Sequence, residues 1–429
     1  MDKIDAIVVG GGLAGLSAAY RLADAGRQVI LLERGDAPGS KNVTGGRVYV
    51  DPIRPYLPGI IDSAPFERHV VREMITVLDE GSALQFEYGN ERWKKEPFMS
   101  HTVLRAKLDG WLAEQATAKG AFIIPRKKVD ELLYEDGQVA GIRSGTEEIG
   151  AHVVIAADGA LSFLTQKAGL RQPHRPENLA VAVKEIYQLD EKTIEERFGL
   201  GPDEGLAGLF MGSVTRGMFG GGFLYTNRDT LSVGLVVGID SLIHGAGDID
   251  APGLMEGFTG RPEVERWIRG GELREYSAHV ISEAGIGAAP KLYRGGMLVA
   301  GDAAGFALNL GLTVRGMEFA IASGVMAADT AVLALNENDL SENSLSRYEK
   351  RLRESFVLPD METFRHSREV LDRRRFFTVY PRFMCELFDE LFTVGDRPKE
   401  GLYKTAKRVA KKYVLNMETL KDLLAARRL

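Results

Sequence analysis

The chain has 429 residues, 45% of them hydrophobic and 27% charged, a balance that can bury a sizeable core in one large domain or two to three ordinary ones. Its single cysteine, Cys385, excludes an internal disulfide framework, and it excludes an iron–sulfur cluster held by this chain alone, which needs about four protein ligands. The net charge of −6 is uneven: residues 401–429 carry +6, so the rest carries −12, which suits a polar partner, an anionic membrane surface or simply a solvated basic helix.

The apolar N-terminus does not read as a signal peptide, because Asp2 and Asp5 flank the run and a glycine-rich turn interrupts it. No run of about 18 apolar residues occurs, so no transmembrane helix is expected and any membrane contact would be peripheral. A lone cysteine without a secretory signal fits a reducing, cytosolic compartment.

Ile4 to Val9 reads as a short, buried parallel strand. It enters Gly10-Gly11-Gly12-Leu13-Ala14-Gly15, which fits G-x-G-x-x-G, followed by a helix from Leu16 to Ala25 and a strand from Gln28 to Glu33. Each part has a physical reason. Gly10 makes the tight turn, Gly12 lets backbone approach a pyrophosphate, and Gly15 lets the helix pack on the strand. The helix N-terminus offers N–H groups and a positive dipole end to phosphate. Glu33 suits ribose hydroxyls and repels a 2′-phosphate, so NADP is disfavoured.

Two later strands end in glycine–aspartate pairs. Gly150 to Ala157 leads into Asp158-Gly159, and Gly296 to Ala300 leads into Gly301-Asp302. Each places a carboxylate at a strand's carboxyl end, where ligands sit in α/β sheets. Asp302 suits a ribityl hydroxyl, which FAD has and NAD lacks. A helix after Arg315 would aim its N-terminus at the flavin pyrimidine end. Together the three motifs argue for FAD.

These residues resemble the FAD-binding fold of the p-hydroxybenzoate hydroxylase and geranylgeranyl reductase superfamily. More narrowly, Gly39 to Tyr49, Gly220 to Asn227, Tyr276 to His279 and Phe306 to Met317 are similar to the FixC family, relatives of electron-transfer flavoprotein:quinone oxidoreductase. The likeness spans nearly the whole chain. It implies an α/β fold: a Rossmann-like FAD-binding domain at 1–170 and 290–335, an antiparallel-sheet quinone or substrate domain at 171–289, and a helical C-terminal region at 336–429.

The resemblance also implies an activity and an assembly. Electrons from a FixA/FixB-like electron-transfer flavoprotein would pass through FAD to a membrane quinone. A separate FixX-like ferredoxin would carry the iron–sulfur cluster that Cys385 cannot hold. The assembly is FixABCX, associated with electron bifurcation from NADH at a FixAB flavin, and this chain would serve the high-potential branch. Arg105 would reach the FAD pyrophosphate, a bidentate task suited to guanidinium; the competing reading is a surface arginine on a helix. Lys41 and Asn42 would sit near the isoalloxazine, with Gly45 and Gly46 laying backbone against it. Arg34, Thr44, Gly311 and Thr313 complete the expected cofactor set, although Thr313 and Arg315 also fit simple helix capping.

Residues 181–189 and 221–237 read as strands with a turn at Asn227-Arg228-Asp229, whereas the glycine-rich stretch from Asp203 to Gly222 reads as loop. After Arg373-Arg374-Arg375, the aromatics Phe376, Phe377, Tyr380, Phe383, Phe388 and Phe392 recur at helical spacing. That pattern fits an interfacial helix dipping into lipid, or a core or partner-docking face. No metal-like spacing links the seven histidines, and no nucleic-acid module is visible. Two other functions share the fold: a flavin-dependent prenyl reductase, and a relay subunit inert without its partners.

Overall fold

The computed structural model describes residues 2–41, 46–245 and 247–429. In its first sheet, five strands run parallel in the order Met297–Val299, Glu147–Ala156, Lys3–Val9, Val29–Leu32, Phe122–Ile124. The chain steps outward from the first strand on one side, then crosses back to build the other. The crevice beyond Val9 and Ala156 is therefore a topological switch point, the place where open α/β sheets bind ligands. An antiparallel hairpin, Glu131–Glu135 with Gln138–Ser144, extends Glu147–Ala156.

Two helices cover this sheet and cross each other closely. Leu13–Asp24 starts at the glycine turn, and Met317–Glu337 lies against it. A Cβ on Gly324 would stand 2.1 Å from the Ala14 carbonyl oxygen, so only glycine permits the crossing. Met317–Glu337 is long and apolar enough to cross a membrane by length and composition, which the sequence reading did not anticipate. Most of it is buried within the protein, as the core helix of the domain.

The second sheet has nine strands in the described residues. It is antiparallel except that Glu204–Gly212 runs parallel to His69–Leu78. It is not confined to 171–289. Arg47–Tyr49, His69–Leu78, Ala83–Gly89 and Ser100–Thr102, which the sequence reading assigned to the FAD-binding domain, all belong to it. The expected turn at 227–229 closes with Asn227 N–H on the Thr230 carbonyl. The expected loop from Asp203 is instead the strand Glu204–Gly212.

From Glu342 to Ala426 the chain is helical with short connections. The aromatic run forms the helix Val379–Phe392, which packs on the second sheet and on Leu402–Tyr413. Its apolar side chains Phe383, Met384, Leu387, Phe388 and Leu391 are half-buried, and Phe383 meets the Tyr413 ring at 6.5 Å. Arg373 and Arg375 pair with Asp422 on the last helix, Met417–Ala426.

Candidate functional site

A cavity of about 670 Å³ lies between the two sheets, within the roughly 300–1,000 Å³ usual for cofactor and small-ligand sites. Its walls change character along its length. At one end stand the glycine turn, Glu33, Arg34 and Lys127 to Asp130. At the other stand Phe219, Leu312, Leu371, Phe376 and Phe377.

The glycine turn forms as its residues require. Gly10 has φ +108°, and a Cβ there would meet the Ala157 carbonyl oxygen at 2.2 Å. A Cβ on Gly15 would meet the Gly10 oxygen at 1.9 Å, so Gly15 serves helix–turn packing and does not line the cavity. Gly12 is the N-cap of Leu13–Asp24 and brings no capping side chain. The first-turn N–H groups are left for an anion. Gly10, Gly12, Leu13 and Ala14 line the cavity beside them.

Glu33 is held before any ligand arrives. Its Oε2 accepts from Gly11 N–H at 2.7 Å, and its Oε1 accepts from Gly35 N–H. The remaining lone pairs suit ribose hydroxyls. Arg34 and Lys41 line the cavity from exposed positions. Asn42, Thr44 and Gly45 lie outside the described residues. Gly46 lines the cavity and is buried; a Cβ there would strike the Tyr225 ring at 2.1 Å, so this glycine answers to Tyr225.

Arg105 opens the helix Arg105–Ala118 and lines the cavity, with Asp109 accepting from Nε and Nη2 at 2.9 Å each. It is therefore an enclosed arginine, unlike the surface alternative. Asp158 and Gly159 also line the cavity. Asp158 accepts from Ser162 Oγ at 2.7 Å and Leu164 N–H at 3.2 Å, so its carboxylate also shapes its own turn.

Asp302 lies in the turn Gly301–Ala304 after the strand Met297–Val299. Burial pushes its carboxyl up, while Arg105 and His279 pull it down. Among the described residues no protein donor hydrogen-bonds to it. An enclosed carboxylate facing a cavity without a protein donor is what a ribityl hydroxyl would satisfy. Gly301, with φ +64°, packs against Ala14 and does not line the cavity. Gly311 lines it, with φ +79°. Thr313 sits in the same turn, where its carbonyl accepts from Leu310 N–H, but it does not line the cavity. Arg315 is engaged by Glu318 at 2.7 Å and Asp360 at 2.6 Å, which is more than a cap.

Phosphate-ready N–H groups, a pinned ribose acceptor and an unsatisfied Asp302 fit FAD. When bound, FAD supplies a carrier that accepts and releases an electron pair. The sequence reading missed Lys127 to Asp130, although they follow the parallel strand Phe122–Ile124 and so sit where ligands gather. It also missed Phe219, Leu371 and Glu283, which only the tertiary fold brings to the wall. Among the described residues no group of three or more His, Cys, Asp or Glu could hold a metal ion. Cys385 is buried on Val77 and Ser82 carbonyls.

FixC of Escherichia coli (strain K12) is 44% identical over 411 residues, covering 96% of this chain and 95% of that protein. The chain belongs to the FixC family. YdiS of the same strain, described as a probable electron transfer flavoprotein-quinone oxidoreductase, is 43% identical over 98% of this chain and 97% of its own. FixC of Azotobacter vinelandii is 36% identical over 99% of this chain and 97% of that protein. Residues 5–95 match the model of the FAD dependent oxidoreductases, and 368–429 match that of the ETF-QO/FixC family C-terminal domain. The second match supplies Leu371, Phe376 and Phe377 to the cavity wall. This FixC-family chain is thus an FAD-dependent oxidoreductase. Among solved structures, a geranylgeranyl bacteriochlorophyll reductase-like protein from Thermoplasma acidophilum superposes with a TM-score of 0.73 at 22% identity, over 99% of this chain and 100% of that one, which shows the shared fold.

Proposed function

We propose that this chain is the quinone-reducing subunit of a FixABCX-type complex. It takes electrons from a two-subunit electron-transfer flavoprotein and delivers them through FAD to a membrane quinone. A separate small ferredoxin subunit carries the iron–sulfur cluster, and bifurcation takes place in the flavoprotein partner. The observation that carries the reading is the two-ended cavity. A polar, phosphate-ready end suits the cofactor, and the phenylalanine-lined end suits an apolar quinone ring. The names of the FixC and YdiS relatives point the same way.

The C-terminal end supports a peripheral place on the cytoplasmic face of the inner membrane. The last helix, Met417–Ala426, turns its polar side inward: Thr419 and Asp422 are buried, and Asp422 accepts from Arg373, Arg375 and the Tyr380 hydroxyl. Met417, Leu420, Leu423 and Leu424 face outward. Soluble helices do the reverse. Lys421 and Arg427 lie on the same helix end, and leucines beside cations suit an anionic lipid surface.

Reconstitution tests the assignment. The purified holoprotein, mixed with the electron-transfer flavoprotein, the ferredoxin subunit, NADH and a soluble low-potential ferredoxin or flavodoxin that accepts the other branch's electrons, should reduce a short-chain quinone. Reduction of an isoprenoid double bond by the isolated protein, with no quinone reduction in the complex, would replace this reading with the prenyl reductase.

A further inference from the structure

Glu283 follows directly on the strand Glu272–Ser282 and lines the cavity near its apolar end. Its backbone N–H is tied to the Asn178 carbonyl at 2.9 Å, which anchors the residue. Asn309 Nδ2 reaches its two oxygens at 3.5 and 3.4 Å. The Asn309 amide can point only one way, because its Oδ1 accepts from Gly311 N–H at 2.9 Å. Asn309 therefore offers Glu283 a donor and never an acceptor.

The charged group nearest in effect is Arg368, on the helix Ser367–Leu371. That guanidinium is engaged elsewhere: it donates to the Glu177 carbonyl at 3.0 Å, pairs with Asp372 at 3.3 Å and stacks on the Phe219 ring at 3.6 Å. Its Nη1 is buried without a partner. His279, on the same strand, faces Asp302, Arg34 and Arg105 instead. Among the described residues, Glu283 is thus an enclosed acid with no ion pair, in a cavity wall shared with Phe219, Leu371 and Phe377. Burial pushes its carboxyl up to about 7, against a smaller pull from Arg368 and Asn309. A carboxylic acid poised there holds a proton it can give away near neutral pH.

We propose that Glu283 is the acid that hands a proton to a quinone oxygen as the quinone is reduced in this cavity, with Asn309 as its positioning residue; this rests on the quinone reading above. The electron pair comes from the electron-transfer flavoprotein by way of FAD. The Glu283 O–H bond breaks, a quinol O–H bond forms, and the second proton comes from solvent. The carboxylate left behind faces the charge of Arg368 and is reprotonated from water.

Two measurements test this. In the first, the dithionite-reduced holoprotein is oxidised by a short-chain quinone across about two pH units either side of 7. The wild-type rate should fall as pH rises through that region. E283Q, matched in shape, should lose that limb and run about a hundredfold slower, and E283D should restore part of it. In the second, infrared titration of the oxidised holoprotein, taken as a wild-type-minus-E283Q difference, should show a protonated carboxyl signal disappearing near neutrality. A pH profile unchanged in E283Q, or no such signal, overturns the proposal while leaving quinone reduction intact. If the wild type reduces no quinone at all, the quinone reading fails and this role fails with it.

Discussion

His101 stacks on Phe66 with centroids 4.3 Å apart and meets Phe98 edge-on, while His69, its partner across two strands, stacks on Phe98 at 4.1 Å. Burial is the chief cause that pushes the His101 ring down to about 4, with His69 and Arg54 adding to it. The folded protein keeps the ring neutral where the unfolded chain protonates it. This contribution to stability is fully present above about 6.5 and is lost as pH falls toward about 4. Its size is at most about 3 kcal/mol. Replacing His101 by Phe keeps the stacking and removes the proton site. Urea unfolding at pH values near 5 and near 7.5 should therefore show a smaller acid loss in His101→Phe than in wild type; equal losses would mean the ring is not held neutral.

At the scale of elements, legibility in the sequence followed how local the constraint is. The first strand, glycine turn and helix were readable because Gly10 and Gly15 are required by atoms a few residues away or by the adjoining strand. The strand Glu204–Gly212 was misread as loop because Gly205, Gly208 and Gly212 look like flexibility in sequence. In the fold each answers to the neighbouring strand His69–Leu78 or its approach. A Cβ on Gly205 would crowd His69 O at 3.1 Å, one on Gly208 would meet Met74 Cε at 2.7 Å, and one on Gly212 would meet Leu78 O at 2.1 Å. Such reasons exist only once distant strands pair. The C-terminal helices show the same limit. Helical spacing revealed an amphipathic aromatic segment, but not that the helix Leu402–Tyr413 would cover part of it or that Met417–Ala426 would turn its leucines outward. That orientation carries a prediction. Replacing Leu420, Leu423 and Leu424 together by Ser should leave the Asp422 anchor and the flavin spectrum unchanged. It should sharply reduce sedimentation with vesicles rich in anionic lipid, since each exposed leucine contributes about 1.5–3 kcal/mol if fully buried in the membrane. Undiminished sedimentation would remove this helix as the membrane contact.

For the molecule as a whole, the cavity is the joint between its two sheets. Gly10 to Ala14, Asp158 and Asp302 come from the parallel sheet and its turns, whereas Tyr225 and His279 come from the nine-stranded sheet, Phe219 from the connection that leads into its strand Gly220–Thr226, and Phe376 and Phe377 from the C-terminal region. Among the described residues, two groups left for a ligand lie on the cofactor's side of that joint: the open first turn of Leu13–Asp24 and the carboxylate of Asp302. FAD binds this arrangement and has no comparable site in the unfolded chain, so it should stabilise by mass action, by about 2.7 kcal/mol when free FAD is a hundred times its dissociation constant. Removing FAD should accordingly lower the melting temperature by several degrees and make it depend on added FAD. The loss should be uneven. Backbone amides at the glycine turn, at Gly301–Ala304 and at Leu308–Arg315 should exchange faster in the flavin-free protein, because each segment contributes residues to the cavity wall. Amides in the middle of Lys3–Val9 and Met317–Glu337 should change little, because their hydrogen bonds and packing are internal to the parallel layer. Hydrogen exchange on flavin-loaded and flavin-free protein distinguishes these outcomes. Uniform loosening across both layers would mean that FAD holds the whole fold together, whereas loosening confined to the rim means that the fold is complete first and the cofactor fills it.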